Sequence, residues 1–572
     1  MMPLNDAETE IPDAARPGRV ALPLSVARRW QLLDGGGWQF LLPPPPFRRL
    51  LTYDNLGGAT LLLSARLAEE VLVVHHDPEE LERLQAVAAE LGLGGVRFAR
   101  AGADLEPGTF DGALVHDPEA RVLRRDRAAL DVLCARFAAA LRPRGFLYLG
   151  LRNRFAYRQL RHLPRESPRL LSPGAVTRAV RRAGLFPVPS HPFLMEGARI
   201  TEIVVPAGYR SAKNSFLAAE RLRGLLLRGW GKRHLAPAYG VVAFRETPEP
   251  SWLEVFVADP WVQSLAPGST LRRCLVLNEG KLVLSLGSPQ ARHGTVVLVV
   301  APDSRASERR RAEGAWLRRL ATLPPETARA IPLFLGEREI EGVPVFALSE
   351  RPGMTVDHDA SFLPELTAAA AQWLRQFHRA TVRRAPVDAE TFACAFAPLF
   401  EAARARNRAL SAEISGLEEG VRSRLVGRVT PLSWMHGDFK LENVVFDQVT
   451  GTLQGVIDWE LASEPGPPLV DLLYLLLYNR VVRAGGGVTG VLAETEAAVV
   501  RGEWAPDERV LLDAHHAALG SSRDQETPVG ALFLVHHIGV RATYDLDYPK
   551  TLTQLRGLLS SLRDRLVASN AS

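Results

Sequence analysis

The 572-residue chain reads as two folded halves in succession, an α/β doubly wound domain followed by an α+β domain of two lobes. Three observations predict this. Between Leu50 and Phe146, short apolar runs alternate with amphipathic segments of helix length, the pattern of parallel strands joined by crossover helices. Past residue 270, strands follow one another across short turns with one helix among them, and helical spacing takes over from Glu365. The length exceeds what one core can fill, and 47% hydrophobic with 23% charged residues is globular composition.

Lys and Arg (69) exceed Asp and Glu (64) only slightly, and the cations are mostly arginines spread along the chain. That distribution argues against nucleic acid as a partner. Arg309, Arg310 and Arg311 fall in a helical pattern and read as a solvated face, with phosphate binding as the lesser alternative. Cys134, Cys274 and Cys394 are far apart in apolar segments and read as buried thiols of a reducing compartment. The polar start M-M-P-L-N-D-A-E-T-E does not have the form of a signal peptide, and no apolar run reaches membrane-span length, Leu472–Leu477 being bracketed by Asp471 and Asn479. The expected location is the cytoplasm.

In chain order, residues 1–17 read as a disordered leader and Pro43–Pro46 as a stiff connector. Expected strands are Leu50–Tyr53, Val71–His75, Gly112–His116 and Phe146–Gly150; expected helices are Pro78–Leu91 and Asp126–Leu141. The strings E-V-L-V-V-H-H-D-P-E-E-L-E-R-L, F-D-G-A-L-V-H-D and A-A-L-R-P-R-G-F-L-Y-L give roughly residues 30–246 a resemblance to class I S-adenosylmethionine (SAM)-dependent methyltransferases, hence to a Rossmann-like fold. The following L-R-N-R-F around Asn153 and S-P-G-A-V-T-R-A-V-R-R-A-G-L-F resemble a bacterial subgroup linked with glycan or secondary-metabolite assembly.

The resemblance implies SAM as cofactor, gripped by a glycine-rich turn and by acids on the ribose and adenine. This copy departs from it. L-T-Y-D-N-L-G-G keeps only Gly57 and Gly58, the ribose position holds His76 or, one residue shifted, Asp77, and the adenine position holds Gly102 and Ala103 with Asp104 one residue late. Gly57, Gly58 and Asp77 are the candidate SAM contacts. Three altered positions in one pocket predict that the domain, residues 18–246, kept the fold and lost the cofactor; a working methyltransferase is the alternative.

Residues 247–269, with Pro248, Pro250 and Pro267, read as a linker. Strands Arg272–Asn278, Lys281–Gly287 and Thr295–Ala301, a helix Arg305–Leu320 carrying Glu313, and strands Ile331–Leu335 and Val343–Leu348 then form a small lobe, residues 270–350. Pro352 and Gly353 mark a hinge into the large lobe, residues 351–572, which begins with a helix Glu365–Thr381. His378, near the end of that helix, reads as a structural hydrogen-bonder.

The stretch Trp434–Glu460 carries the chemistry: Asp438, Asn443 five residues later, and Asp458 after an apolar hairpin. One carboxylate can orient an acceptor hydroxyl while an amide oxygen and a second carboxylate hold Mg²⁺ against nucleotide phosphates. H-G-D-x-x-x-x-N and I-D-W-E make this region resemble the aminoglycoside phosphotransferase and choline kinase family, part of the protein-kinase-like fold. The resemblance implies ATP and Mg²⁺, with Asp438 as catalytic base, Asn443 and Asp458 as metal ligands, Lys440 on the transferring phosphate, and His436 and Asp471 bracing the loop. Where the family reads G-D-P-x-x-D, this chain has G-P-P-L-V-D, with Pro467 in place of the first acid.

The family also places a lysine on the third strand, paired with a helix glutamate. Thr295–Ala301 reads T-V-V-L-V-V-A, so Glu313 lacks its expected partner. Lys281, at the start of the preceding strand, is the candidate replacement, as in an atypical group of protein kinases; a solvated strand-end lysine is the alternative. Helices after Gly502 are expected to shape an acceptor pocket, with His536, His537, Asp545 and Asp547 as candidate lining; helix packing is an equal alternative for the His-His pair.

The expected function is ATP- and Mg²⁺-dependent phosphorylation of a hydroxyl on a small molecule (a sugar, aminoglycoside or amino alcohol), beside a non-catalytic methyltransferase-like domain. Two alternatives stand: a bifunctional SAM methyltransferase and kinase of glycan or secondary-metabolite assembly, and a pseudokinase scaffold, which the missing strand lysine favours.

Overall fold

The structure, a computed structural model, describes residues 36–54, 58–117, 127–153, 171–196, 199–204, 236, 238–277, 281–288, 295–302, 304–355, 363–447, 449–484, 490–541 and 552–568. The leader 1–17, Gly57, Asp545 and Asp547 lie outside these residues.

The first half is the expected doubly wound sheet. Strands β1 (Phe47–Asp54), β2 (Ala68–His75), β3 (Val96–Arg100), β4 (Phe110–Asp117) and β5 (Leu141–Arg152) lie in the order β3-β2-β1-β4-β5, all parallel. Helices α1 (Ala59–Leu67), α2 (Pro78–Glu90) and α3 (Arg127–Ala140) alternate with them. β4 is buried along its whole length, which is why its sequence is apolar rather than alternating. α2 starts where Asp77 accepts the Glu79 amide at 3.0 Å and Pro78 presets the first turn.

Beyond β5 the sheet turns antiparallel. The two-residue β6 (Phe186–Pro187) and the longer β7 (His191–Glu196), β8 (Arg199–Ile203) and β9 (Ala238–Phe244) follow, β9 pairing with β5, β7 with β9, and β8 with β7. β8 then pairs with the first strand of the second half, β10 (Thr270–Val276), through Ile203 opposite Cys274 and Glu202 opposite Leu275. β11 (Leu282–Gly287), β12 (Val296–Val300), β13 (Phe334–Ile340) and β14 (Val343–Ser349) extend the sheet in the order β10-β11-β12-β14-β13. Among the described residues, fourteen strands thus form one sheet across both halves. Its core is shared too, with Trp38, Leu62 and Phe146 in the same buried cluster as Val276, Leu284 and Val345.

The segment read as a linker is folded. α4 (Trp252–Ala258) and α5 (Pro260–Leu265) occupy it, α4 capped by reciprocal bonds between Ser251 and Glu254. Trp252 and Phe256 are buried beside Phe40. Pro250 just precedes the cap and Pro260 opens α5, so these prolines sit at helix starts, where a missing N–H costs nothing. β13 also differs from expectation, starting at Phe334 rather than Ile331, because Glu337–Glu339 form an exposed polar edge that a search for apolar runs passes over.

Helix α6 (Ser304–Leu320) packs on the small lobe, and the hinge follows β14. Gly353 has φ 133°, and a Cβ there would stand 2.5 Å from the Phe446 carbonyl oxygen, so the chain passes this point only as glycine. β15 (Met354–Thr355) then pairs with β18 (Val444–Phe446), and β18 with β19 (Leu453–Val456); β17 (Val429–Met435) lies between β16 (Arg383–Pro386) and β20 (Ser463–Gly466). The large lobe is otherwise mostly helical and includes α7 (Leu363–Thr381), α8 (Leu469–Arg483), α9 (Pro506–Leu519), α10 (Glu526–Arg541) and α11 (Leu552–Ala568). Cys134 and Cys274 are buried as expected, whereas Cys394 is exposed. No helix among the described residues is long and apolar enough to cross a membrane.

Candidate active site

The site forms where β17 ends and the chain turns through His436–Asn443 into β18. Gly437 makes the turn at φ 83°, and a Cβ there would meet the Leu461 carbonyl oxygen at 2.4 Å. The turn is pinned from behind by Asp471, in the first turn of α8. Its Oδ2 accepts the His436 amide at 2.7 Å and its Oδ1 the Gly437 amide at 2.8 Å. His378 of α7 donates from Nε2 to the same Oδ2 at 3.2 Å, with both side chains fully buried. Burial alone would raise the Asp471 carboxyl, but the His378 hydrogen bond, the adjoining His378 and His436 rings, and the His436 amide hold it below the usual aspartate value. The expected structural reading of His378 and the bracing position of Asp471 both fit these contacts.

His436 closes the loop from inside. Its Nε2 faces the Ile457 carbonyl at 3.0 Å and its Nδ1 accepts the Asp438 amide at 3.3 Å, the pattern of a neutral ring protonated on Nε2. His536 of α10 donates to the Gly437 carbonyl at 2.7 Å, and His537 is buried against Phe533, so the His-His pair packs behind the loop instead of lining a pocket.

On this frame Asp438, Asn443 and Lys440 converge. The Asn443 amide nitrogen donates to the Asp438 carbonyl at 2.9 Å and to its Oδ2 at 3.2 Å, and Lys440 Nζ stands 3.0 Å from the same Oδ2. Lys440 also pairs with Glu442 at 3.4 Å and lies 5.3 Å from the Tyr478 ring centre. Because its nitrogen serves Asp438, Asn443 has its side-chain oxygen left as a cation donor. Asp458 follows the β18–β19 hairpin at φ 68°, a conformation rare outside glycine but several-fold enriched for Asp and Asn. Its side chain is 39% exposed, the open member of an otherwise buried group. An amide oxygen and an accessible carboxylate are the hard donors that Mg²⁺ takes, so these residues fit the metal.

Glu313 sits on α6 and accepts the Trp459 amide at 3.0 Å. Its charged partner is Arg310, one turn earlier on the same helix, at 2.5 Å. Arg310 also reaches Asp458 Oδ1 at 3.2 Å and bonds Glu460. It is 8% exposed, so the expected solvated arginine face is corrected here: Arg310 points inward while Arg311 pairs outside with Glu337. Lys281 is buried rather than solvated, its Nζ 3.8 Å from Glu460 Oε2. Burial raises the Glu313 carboxyl and Arg310 partly offsets this; the Arg310 guanidinium pays desolvation but is held charged by Glu313, Glu460 and Asp458. The sequence points to Arg310 only as a lesser alternative and to Glu460 not at all. The available signal was the three-residue spacing of Arg310 and Glu313, which places both on one helix face.

In the first half, Gly58 has φ 103° before α1, and Asp77 caps α2. His76 is bonded through Nδ1 to the Tyr53 hydroxyl. Beside β4 and β5, Trp38 is fully buried, its ring 4.7 Å from Tyr148 and 5.4 Å from His116, and Tyr148 Oη lies 3.0 Å from His116 Nδ1.

Residues 287–506 match the model of the phosphotransferase enzyme family, from the end of β11 to the start of α9, a span holding Glu313, Asp438, Lys440, Asn443, Asp458 and Asp471. No protein of curated function matches the chain. Similar solved structures include aminoglycoside phosphotransferase APH(3'')-Id from Streptomyces rimosus ATCC10970, 16% identical over 50% of this chain and 97% of that one, with a TM-score of 0.33. An aminoglycoside-3'-phosphotransferase of type VIII is 18% identical over 50% of this chain and 98% of that one, TM-score 0.32. An S-adenosylmethionine-dependent methyltransferase from Mesorhizobium loti is 17% identical over 37% of this chain and 100% of that one, TM-score 0.26. The chain thus carries, over residues 287–506, a domain of the phosphotransferase enzyme family.

Proposed function

We propose that the second half transfers the terminal phosphoryl group of ATP to a hydroxyl of a small molecule, of the sugar, aminoglycoside or amino alcohol class. The observation carrying this reading is the convergence of Asn443 and Lys440 on one oxygen of Asp438, at 3.2 and 3.0 Å. Those contacts fix the carboxylate and leave Oδ1 to accept the proton of an acceptor hydroxyl. The acceptor oxygen attacks the γ-phosphorus, the bond to the bridging oxygen breaks, and ADP leaves. Lys440 offsets negative charge developing beside Asp438. Mg²⁺, when held by Asn443 and Asp458, supplies charge neutralisation at the phosphates.

The test is a screen of sugars, aminoglycosides, amino alcohols and nucleosides with radiolabelled ATP. Turnover of the accepted compound is expected to vanish in Asp438→Asn and in Asp458→Asn. Full activity in both variants would sink the reading.

For the first half we propose a cytoplasmic, non-catalytic role. Trp38, His116 and Tyr148 fill space beside β4 and β5 with stacked rings, and Asp77 spends one carboxylate oxygen capping α2. Calorimetric titration with SAM is expected to show no saturable binding. Saturation at micromolar ligand would favour the bifunctional reading instead.

A further inference from the structure

The third strand of the small lobe has no cation, yet the space beside Asp458 is not without positive charge. Arg310 enters it from α6 and Lys281 from the start of β11. The two cations face three acids, Glu313, Asp458 and Glu460.

The two cations are not equivalent. Lys281 reaches Glu460 at 3.8 Å, beyond hydrogen-bond range. Arg310 hydrogen-bonds Glu313 and Asp458 directly, at 2.5 and 3.2 Å, and so ties α6 to the candidate metal ligand across the lobes. Its Nε–H is buried and has no hydrogen-bond partner among the described residues, although the terminal nitrogens are engaged. A buried guanidinium N–H without an acceptor is costly, and its natural complement is an anionic oxygen. The group opens to solvent at Asp458, where that oxygen would arrive.

We propose that Arg310 is the phosphate-binding cation of the nucleotide site, taking the place of the absent strand lysine, with Lys281 holding Glu460 in position. This rests on the phosphotransferase reading above. An α-helical arginine then supplies the cation that the third strand lacks: its Nε–H takes a phosphate oxygen while its terminal N–H groups keep Glu313 and Glu460 in register. The missing strand lysine therefore does not imply a pseudokinase.

Affinities of the full chain for Mg·ATP, Mg·ADP and adenosine, measured by calorimetry, test this. Wild type is expected to bind both nucleotides. Arg310→Met should weaken Mg·ATP by about tenfold to about a hundredfold, the loss of charge-assisted hydrogen bonds, while adenosine affinity stays the same. Arg310→Lys, which keeps the charge without the fork, should fall between, and Lys281→Met should cost less than Arg310→Met. Unchanged Mg·ATP affinity in Arg310→Met overturns the assignment, as does a parallel loss of adenosine binding, which would make the arginine merely structural. A larger loss in Lys281→Met would transfer the role to Lys281. If Arg310→Met does not fold, the ATP-to-adenosine affinity ratio of Arg310→Lys decides, a ratio equal to wild type overturning the proposal. Absence of nucleotide binding by wild type would instead sink the phosphotransferase reading itself.

Discussion

Asp471 divides its two oxygens between consecutive amides, Oδ2 taking His436 and Oδ1 taking Gly437, so that one buried carboxylate fixes the peptide that aims Asp438. Asp471→Asn puts an NH₂ group where one of those amides donates. It also leaves His378 without its anionic partner. We expect a loss of about 3 kcal/mol in urea unfolding, together with loss of phosphoryl transfer. A denaturation midpoint equal to wild type would remove Asp471 from the frame.

Gly437→Ala tests the same turn through its backbone. The new Cβ meets the Leu461 carbonyl at 2.4 Å and the residue must hold φ 83°. Strain of this kind costs roughly 1–3 kcal/mol. Thermal unfolding should shift down, and activity should drop further than stability alone explains, because Asp438 is the next residue.

Acid should destabilise the protein well above the carboxylate range. Burial pushes the His116 imidazole down from 6.5 to about 3, and His191 down to about 4. The folded state keeps these rings neutral while the unfolded chain protonates them below 6.5, so their contribution is complete above that pH and is lost as pH falls toward the folded values. Each contributes a slope of about 1 kcal/mol per pH unit in that window. Asp471 acts in the same direction at lower pH, its depressed carboxyl losing its contribution as the pH falls below 3.8. His116→Phe keeps the ring stack with Trp38 and should reduce the slope of unfolding free energy between pH 6.5 and 4 by that amount. An identical slope would show that His116 titrates normally.

Thiol titration separates the cysteines. Burial raises the Cys134 thiol to about 12 and raises that of Cys274 as well, whereas Cys394 is exposed on the large lobe. A disulfide reagent should therefore modify Cys394 rapidly in the native protein and the other two only in denaturant. Rapid native modification of Cys274 would mean that the sheet opens at β10.

The candidate loop was legible because its chemistry is local: Asp438 and Asn443 stand just before one short hairpin and Asp458 just after it, and residue type with spacing determines what they can hold. Arg310 was legible only as the lesser of two readings of an arginine run. In the run Arg309, Arg310, Arg311, composition is uniform and only the phase of α6 decides which guanidinium turns inward. His536 lies 99 residues from the carbonyl it supports, a pairing no local pattern encodes. The folded bridge at 252–265 was misread because proline marks both breaks and helix starts, and the cap from Ser251 to Glu254 was the better guide. Cys394 lies in an apolar string, A-C-A-F, but on the exposed side of its helix.

The bond between β8 and β10 bears on how the molecule can be taken apart. Cutting near residue 269 to obtain the phosphotransferase domain alone would strip β10 of its neighbour and uncover Val276, which packs within 2.6 Å of where a Cβ on Gly37 would stand. The fragment would carry a bare strand edge beside an apolar face, a template for self-association. Expression of either half in isolation should yield aggregates, and the small lobe borrows its solubility from the domain ahead of it.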